Sequence, residues 1–205
     1  MKNAGGFGQW KLPRANEIFG GLLLLFSVAC HHDIRFEDIG YSTGGKVYDA
    51  GLVATITPQT ERQVVPIKSW ATGIAHTWDA RPGEMLRQIA DIEFPQMFRH
   101  YKVASQYGEP LQGTPRLTVD LSIPHYAFSD FHATVVVLAK VYRSGQLLVF
   151  EKSYREEGEQ QAGKMVGAGA FGMKSAVRQS SFDAYKKVFA RLRADLFVQL
   201  EKASP

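Results

Sequence analysis

Three places in this chain combine reactive side chains with a spacing that chemistry could use. The densest is His125-Tyr126-Ala127-Phe128-Ser129-Asp130-Phe131-His132, where two imidazoles flank a carboxylate. Brought together by a loop, they would make an acid–base pair or part of a metal site. No nucleophile motif such as G-x-S-x-G accompanies them, so an envelope hydrolase using the His125–His132 loop stands as an alternative only. Aromatic side chains dominate the segment, and Tyr126, Phe128 and Phe131 beside Pro124 read first as core packing and second as a contact surface for a partner protein. The second place is Gly167-Ala168-Gly169-Ala170-Phe171-Gly172, which matches G-x-G-x-x-G and runs on to Lys174-Ser175. A dinucleotide site needs such glycines to turn a strand directly into a helix. Here the charged stretch from Arg155 to Val166 intervenes, no strand with a ribose-binding acid follows, and Met173 displaces the lysine from a phosphate loop. A loop or a small-residue helix start is expected there, with no nucleotide. His31-His32 has no second cluster at ligand spacing, and Glu156, Glu157 and Glu159 read as solvated loop acids. The expectation is therefore no catalytic residue, no cofactor, no metal and no enzymatic activity.

The third place is Cys30, a lone thiol that cannot close an internal disulfide. It follows the apolar run Ile18–Ala29, itself preceded by Lys2, Lys11 and Arg14 against the single acid Glu17. That is the order of an export signal, and the run is too short for a bilayer span of about 20 residues. Ser27-Val28-Ala29-Cys30 resembles the lipobox of bacterial lipoproteins, with Ser27 where that family favours leucine. The resemblance implies cleavage before Cys30, diacylation of its thiol and anchorage to a membrane by the N-terminal lipid. His31, rather than Asp, after the cysteine implies the outer membrane, on its periplasmic face. Ser-Val-Ala also suits ordinary signal peptidase, so a secreted or cell-surface product is the alternative.

This reading divides the chain into a signal peptide over 1–29, a flexible tether over 30–45 containing Gly40, Gly44 and Gly45, and one α/β domain over 46–205. Removal of the signal leaves 176 residues, enough for one proper core. The net charge falls from +4 to about +2, because three cations and one acid leave together. With no basic tract left, nucleic acid is not expected as a partner.

The elements that must position these residues follow from periodicity. A strand from Lys46 to Thr57 breaks at Pro58 and is expected to pair with a return strand, Arg62 to Trp70, whose Pro66 confines it to an edge or bulge. Pro82 opens a helix carrying Met85, Ile89 and Ile92, with Asp79 as a candidate cap; Pro95 must kink or end it. Tyr101-Lys102-Val103 begins another strand, and Gly108, Pro110, Gly113 and Pro115 mark a loop. Leu117, Val119, Leu121 and Ile123 alternate along a further strand, His132–Arg143 is more uniformly apolar, and Ser144-Gly145 turns a hairpin into Leu147–Phe150. A last helix from about Lys174 to Lys202 buries Val177, Tyr185, Val188, Phe189, Leu192, Leu196 and Leu200 and leaves Lys186, Lys187, Arg191 and Arg193 mainly off that stripe.

The expected fold is α+β: a two-layer α/β sandwich with a mostly antiparallel sheet, order about ββαβββα, packed against two long helices. In outline it is similar to small Gram-negative envelope lipoproteins, including the auxiliary lipoprotein components of ABC-type lipid transport. That resemblance implies a non-enzymatic binding or assembly component of an envelope complex, serving lipid or solute transport through an envelope protein partner. A structural surface lipoprotein is the remaining alternative.

Overall fold

The computed structural model describes residues 30–36, 40–68, 76–105, 117–143 and 147–201. The signal expected over 1–29, the loop expected at 108–115 and the Ser144-Gly145 turn lie outside them. Two sheets form. A three-stranded sheet has the order β1-β4-β3, from β1 (Cys30–Ile34), β3 (Val65–Ile67) and β4 (His76–Ala80). A five-stranded sheet has the order β5-β2-β6-β7-β8, from β2 (Tyr48–Ile56), β5 (Phe98–Ala104), β6 (Leu117–Ser129), β7 (His132–Arg143) and β8 (Leu147–Glu157). The helices are a single turn, α1 (Pro58–Glu61), then α2 (Pro82–Glu93) and α3 (Ala162–Glu201).

The result is an α+β sandwich, with differences from the expected plan. Only α3 is long. At 40 residues it reaches about 60 Å. It starts twelve residues before Lys174, so the glycine motif at 167–172 is helix backbone and not a loop. The large sheet is mixed: β2 runs parallel to both β5 and β6, and antiparallel pairing holds only across β6-β7-β8. The return strand after β2 does not pair with β2. Instead β3 pairs antiparallel with β4, and Pro66 lies on the outer strand of the small sheet, where a missing ladder donor is tolerated.

The core explains the elements. Leu52, Ala54 and Ile56 of β2, Leu117, Val119 and Leu121 of β6, and Val135, Val137, Ala139 and Val141 of β7 are buried at every second position. Against them α3 lays Met173, Val177, Ser181, Tyr185, Val188, Leu192, Leu196 and Leu200, spaced by three or four residues. Ile34, Ile67 and Trp78 of the small sheet join the same core. Pro82 occupies the first turn of α2, but the cap position is Arg81, with no side-chain cap bond; Asp79 does not fill that role. The helix ends at Glu93, and Pro95 falls in a 3-10 turn over Phe94–Gln96. Gly83 permits this arrangement, since a Cβ there would lie 1.9 Å from the Thr60 carbonyl oxygen.

Candidate functional site

Cys30 opens β1 in parallel register with β4, from Cys30 opposite His76 to Ile34 opposite Ala80. Residues 30–34, expected as part of a flexible tether over 30–45, are instead a paired strand. Ile34 and Phe36 are buried in the core, and the His32 ring stacks on Trp78 at 4.4 Å. Asp33 accepts hydrogen bonds from Arg81 Nε at 2.7 Å and Arg35 Nε at 3.1 Å. The Arg81 bond holds its carboxyl below the usual range; burial works against this, and Arg35 adds to it. Farther on, the Tyr41 hydroxyl donates to Glu93 at 2.7 Å, and Gln96 Oε1 accepts from the Thr43 amide at 2.7 Å. Burial first, then Glu93, pushes the Tyr41 phenol far above its ordinary value. Polar and glycine-containing sequence suggested freedom. The apolar anchors Ile34, Phe36 and Tyr41, Glu93 of α2 and Gln96 of the 3-10 turn after it hold the described parts of this stretch on the domain.

The aromatic segment forms a hairpin tip. Asp130 and Phe131 both take positive φ, 48° and 64°, as the two central residues of a tight turn flanked by the Ser129–His132 pair. Gln161 N donates to the Phe131 carbonyl at 2.8 Å and Gln160 Nε2 to that of Asp130 at 3.2 Å, tying the tip to the approach of α3. Tyr126 points inward: it is 5 % exposed, and its hydroxyl lies 2.7 Å from Ser181 Oγ. As a partner contact it is corrected to a core residue. Phe128 and Phe131 are half-buried against the same core. His125 pairs with Val136 and His132 with Ser129, four residue steps apart, or about 13 Å. The two imidazoles proposed for a hydrolase are therefore not brought together, and among the described residues no group of three metal-ligating side chains forms.

Lys186, Lys187, Arg191 and Arg193 of α3 have partners within the chain. Lys187 reaches Asp183, Arg191 reaches Glu156, and Arg193 reaches the buried Glu93. Lys186 lies over the Tyr41 and Phe182 rings. They cover the domain's own acids and aromatics.

A cleft of about 460 Å³, absent from the sequence reading, opens where β2 ends beside β6. It is lined by Thr57, Gln59, Thr60, Gln63, Ser122, Ile123 and Pro124. The Thr57 hydroxyl caps α1 by accepting from the Thr60 amide at 3.2 Å, and β6 bulges between Ser122 and His125. One residue pair farther back, Thr55 of β2 stands opposite Asp120 of β6. Thr55 Oγ1 and Asp120 Oδ1 are buried side by side. Burial raises the Asp120 carboxyl above its ordinary value, with the neighbouring Thr55 hydroxyl and Lys140 opposing. The residues lining the cleft come from two segments about sixty positions apart and carry no charged group; the strand breakers Pro58 and Pro124 were their only signal in the sequence.

Among the described residues, no helix is long and apolar enough to cross a membrane. No family model and no curated protein matches the chain. Among solved structures, the chain is similar to a lipoprotein candidate from Caulobacter crescentus CB15, at 13% identity and a TM-score of 0.42 over 61% of this chain and 87% of that one. It is also similar to a hypothetical protein from Chlamydia trachomatis, at 10% identity and a TM-score of 0.37 over 72% of this chain and 95% of that one. Neither description names a transport role, and overlap at these scores carries no argument about activity.

Proposed function

We propose that this protein is a lipid-anchored envelope lipoprotein whose α+β domain works as a binding or assembly component on the periplasmic face of the outer membrane. The observation that carries the reading is Cys30, the lone thiol behind the apolar run Ile18–Ala29. Cys30 pairs with His76 in the β1–β4 ladder. Acyl chains on this residue would hold a folded body directly, with three residues between the anchor and the buried Ile34 side chain. A binding or assembly role is favoured over an envelope hydrolase because His125 and His132 lie far apart on the β6–β7 ladder. The half-buried Phe128 and Phe131 at the hairpin tip are the proposed contact for an envelope protein partner.

Fractionation of cells expressing the full chain tests the anchor. The native protein should sediment with outer membranes, and Cys30→Ala should shift it to the soluble fraction. Equal sedimentation of both, or a native protein that is soluble, contradicts the reading. Affinity capture of the native protein from detergent extract tests the role: a stoichiometric envelope complex supports assembly, and a protein recovered alone supports the structural surface lipoprotein instead.

A further inference from the structure

We infer that the cleft between the end of β2 and the bulge of β6 binds an uncharged, hydroxyl-rich ligand of the size of a mono- or disaccharide. The cleft lies beyond the carboxyl end of β2 and beside the middle of β6, its parallel neighbour. Because β6 continues to Ser129 while β2 stops at Ile56, the longer strand forms a wall. The bulge in β6 beginning at Ser122 sets the shape of that wall.

The lining defines the ligand's chemistry. Thr57, Thr60 and Ser122 bring hydroxyls, Gln59 and Gln63 bring carboxamides, and Ile123 and Pro124 supply an apolar patch; no charged side chain lines the cleft. Hydroxyls and carboxamides both donate and accept, which suits the alternating donors and acceptors of a polyol. An ionic ligand would lose its hydration with no opposite charge on the lining to compensate. The cleft volume of about 460 Å³ lies within the common range for small-molecule sites, roughly 300–1,000 Å³.

The test is amide-resolved NMR titration of the full chain in detergent micelles, using N,N′-diacetylchitobiose and maltose as neutral probes and citrate as the anionic control. At least one disaccharide should shift amides confined to residues 57–63 and 120–124 with a Kd of about 1 mM. Gln63→Ala and Ser122→Ala should each weaken that Kd by roughly fivefold, the loss of about one hydrogen bond, with spectra otherwise superimposing on the parent. No shift with either sugar at about 20 mM overturns the inference. So does citrate acting on the same amides as strongly, or sugar shifts that neither variant weakens. The result is independent of whether Cys30 carries lipid.

Discussion

The Tyr126 hydroxyl lies 2.7 Å from Ser181 Oγ, inside the core between β6 and α3. Next to it, Ser180 Oγ accepts the Ala133 amide at 2.8 Å. Two small polar side chains on the buried stripe of α3 thus fasten the β6–β7 hairpin to the helix. Tyr126→Phe strands the Ser181 hydroxyl and should cost about 1 kcal/mol, lowering Tm by roughly 2–4 °C. Ser181→Ala added to that variant should cost little more, because the pair acts as one unit. Thermal denaturation of the four members of the cycle measures the coupling.

Close backbone approach makes a stronger prediction nearby. A Cβ on Gly158 would stand 1.8 Å from the Ser180 carbonyl oxygen, whereas one on Gly163 would meet nothing within 4 Å. Gly158→Ala must push the end of β8 away from α3 and should cost about 3 kcal/mol or more. Gly163→Ala, early in α3, should be neutral or stabilising by up to about 1 kcal/mol. Urea denaturation of the two variants side by side separates a steric clash from a general intolerance of glycine replacement.

The raised Asp120 carboxyl fixes the sign of a pH effect. Its ordinary value is 3.8. With the folded value above the unfolded one, its contribution is fully favourable below 3.8 and is lost as pH rises through the folded value. Asp120→Asn removes that loss, so the variant should be more stable than the parent at pH 7, by up to about 1 kcal/mol for this half-buried group. The difference should shrink as pH falls toward 3.8. Chemical denaturation at pH 7 and pH 4 checks both the sign and the trend.

Asp33 has the opposite sign. Its folded value is depressed by Arg81, so its stabilisation is present above 3.8 and is lost as pH falls through the folded value. Because the pair is partly exposed, Asp33→Asn should cost only about 0.5–1 kcal/mol. That cost should fall locally on β1. Hydrogen exchange should accelerate across residues 30–36 in this variant, with β6 and β7 unchanged.

The sequence made regular elements legible wherever one period dominated. The alternation Leu117, Val119, Leu121 and the stripe Val177 to Leu200 were sufficient to place β6 and the body of α3, since each buries its apolar residues at a fixed spacing. Non-local partners were not legible. Nothing in Val65-Pro66-Ile67 says that it pairs with β4 and not β2, because an edge strand of three residues carries no register information. The docking of 30–36 and 40–43 was hidden for a related reason: Ile34, Phe36 and Tyr41 are isolated apolar residues that join a core assembled from distant elements. The extra helix turns at 162–173 were obscured by glycines, which lower helix propensity but do not forbid helix where the chain continues into a long packed segment. The neutral cleft was invisible because its chemistry resides in ordinary hydroxyls and amides.

Intact-mass spectrometry of the protein extracted from its native membrane addresses the anchor most directly. The account predicts a chain beginning at Cys30 and heavier than the polypeptide by the mass of its acyl groups, with Cys30→Ala abolishing that increment. A native chain beginning at Met1 with an unmodified thiol would contradict it.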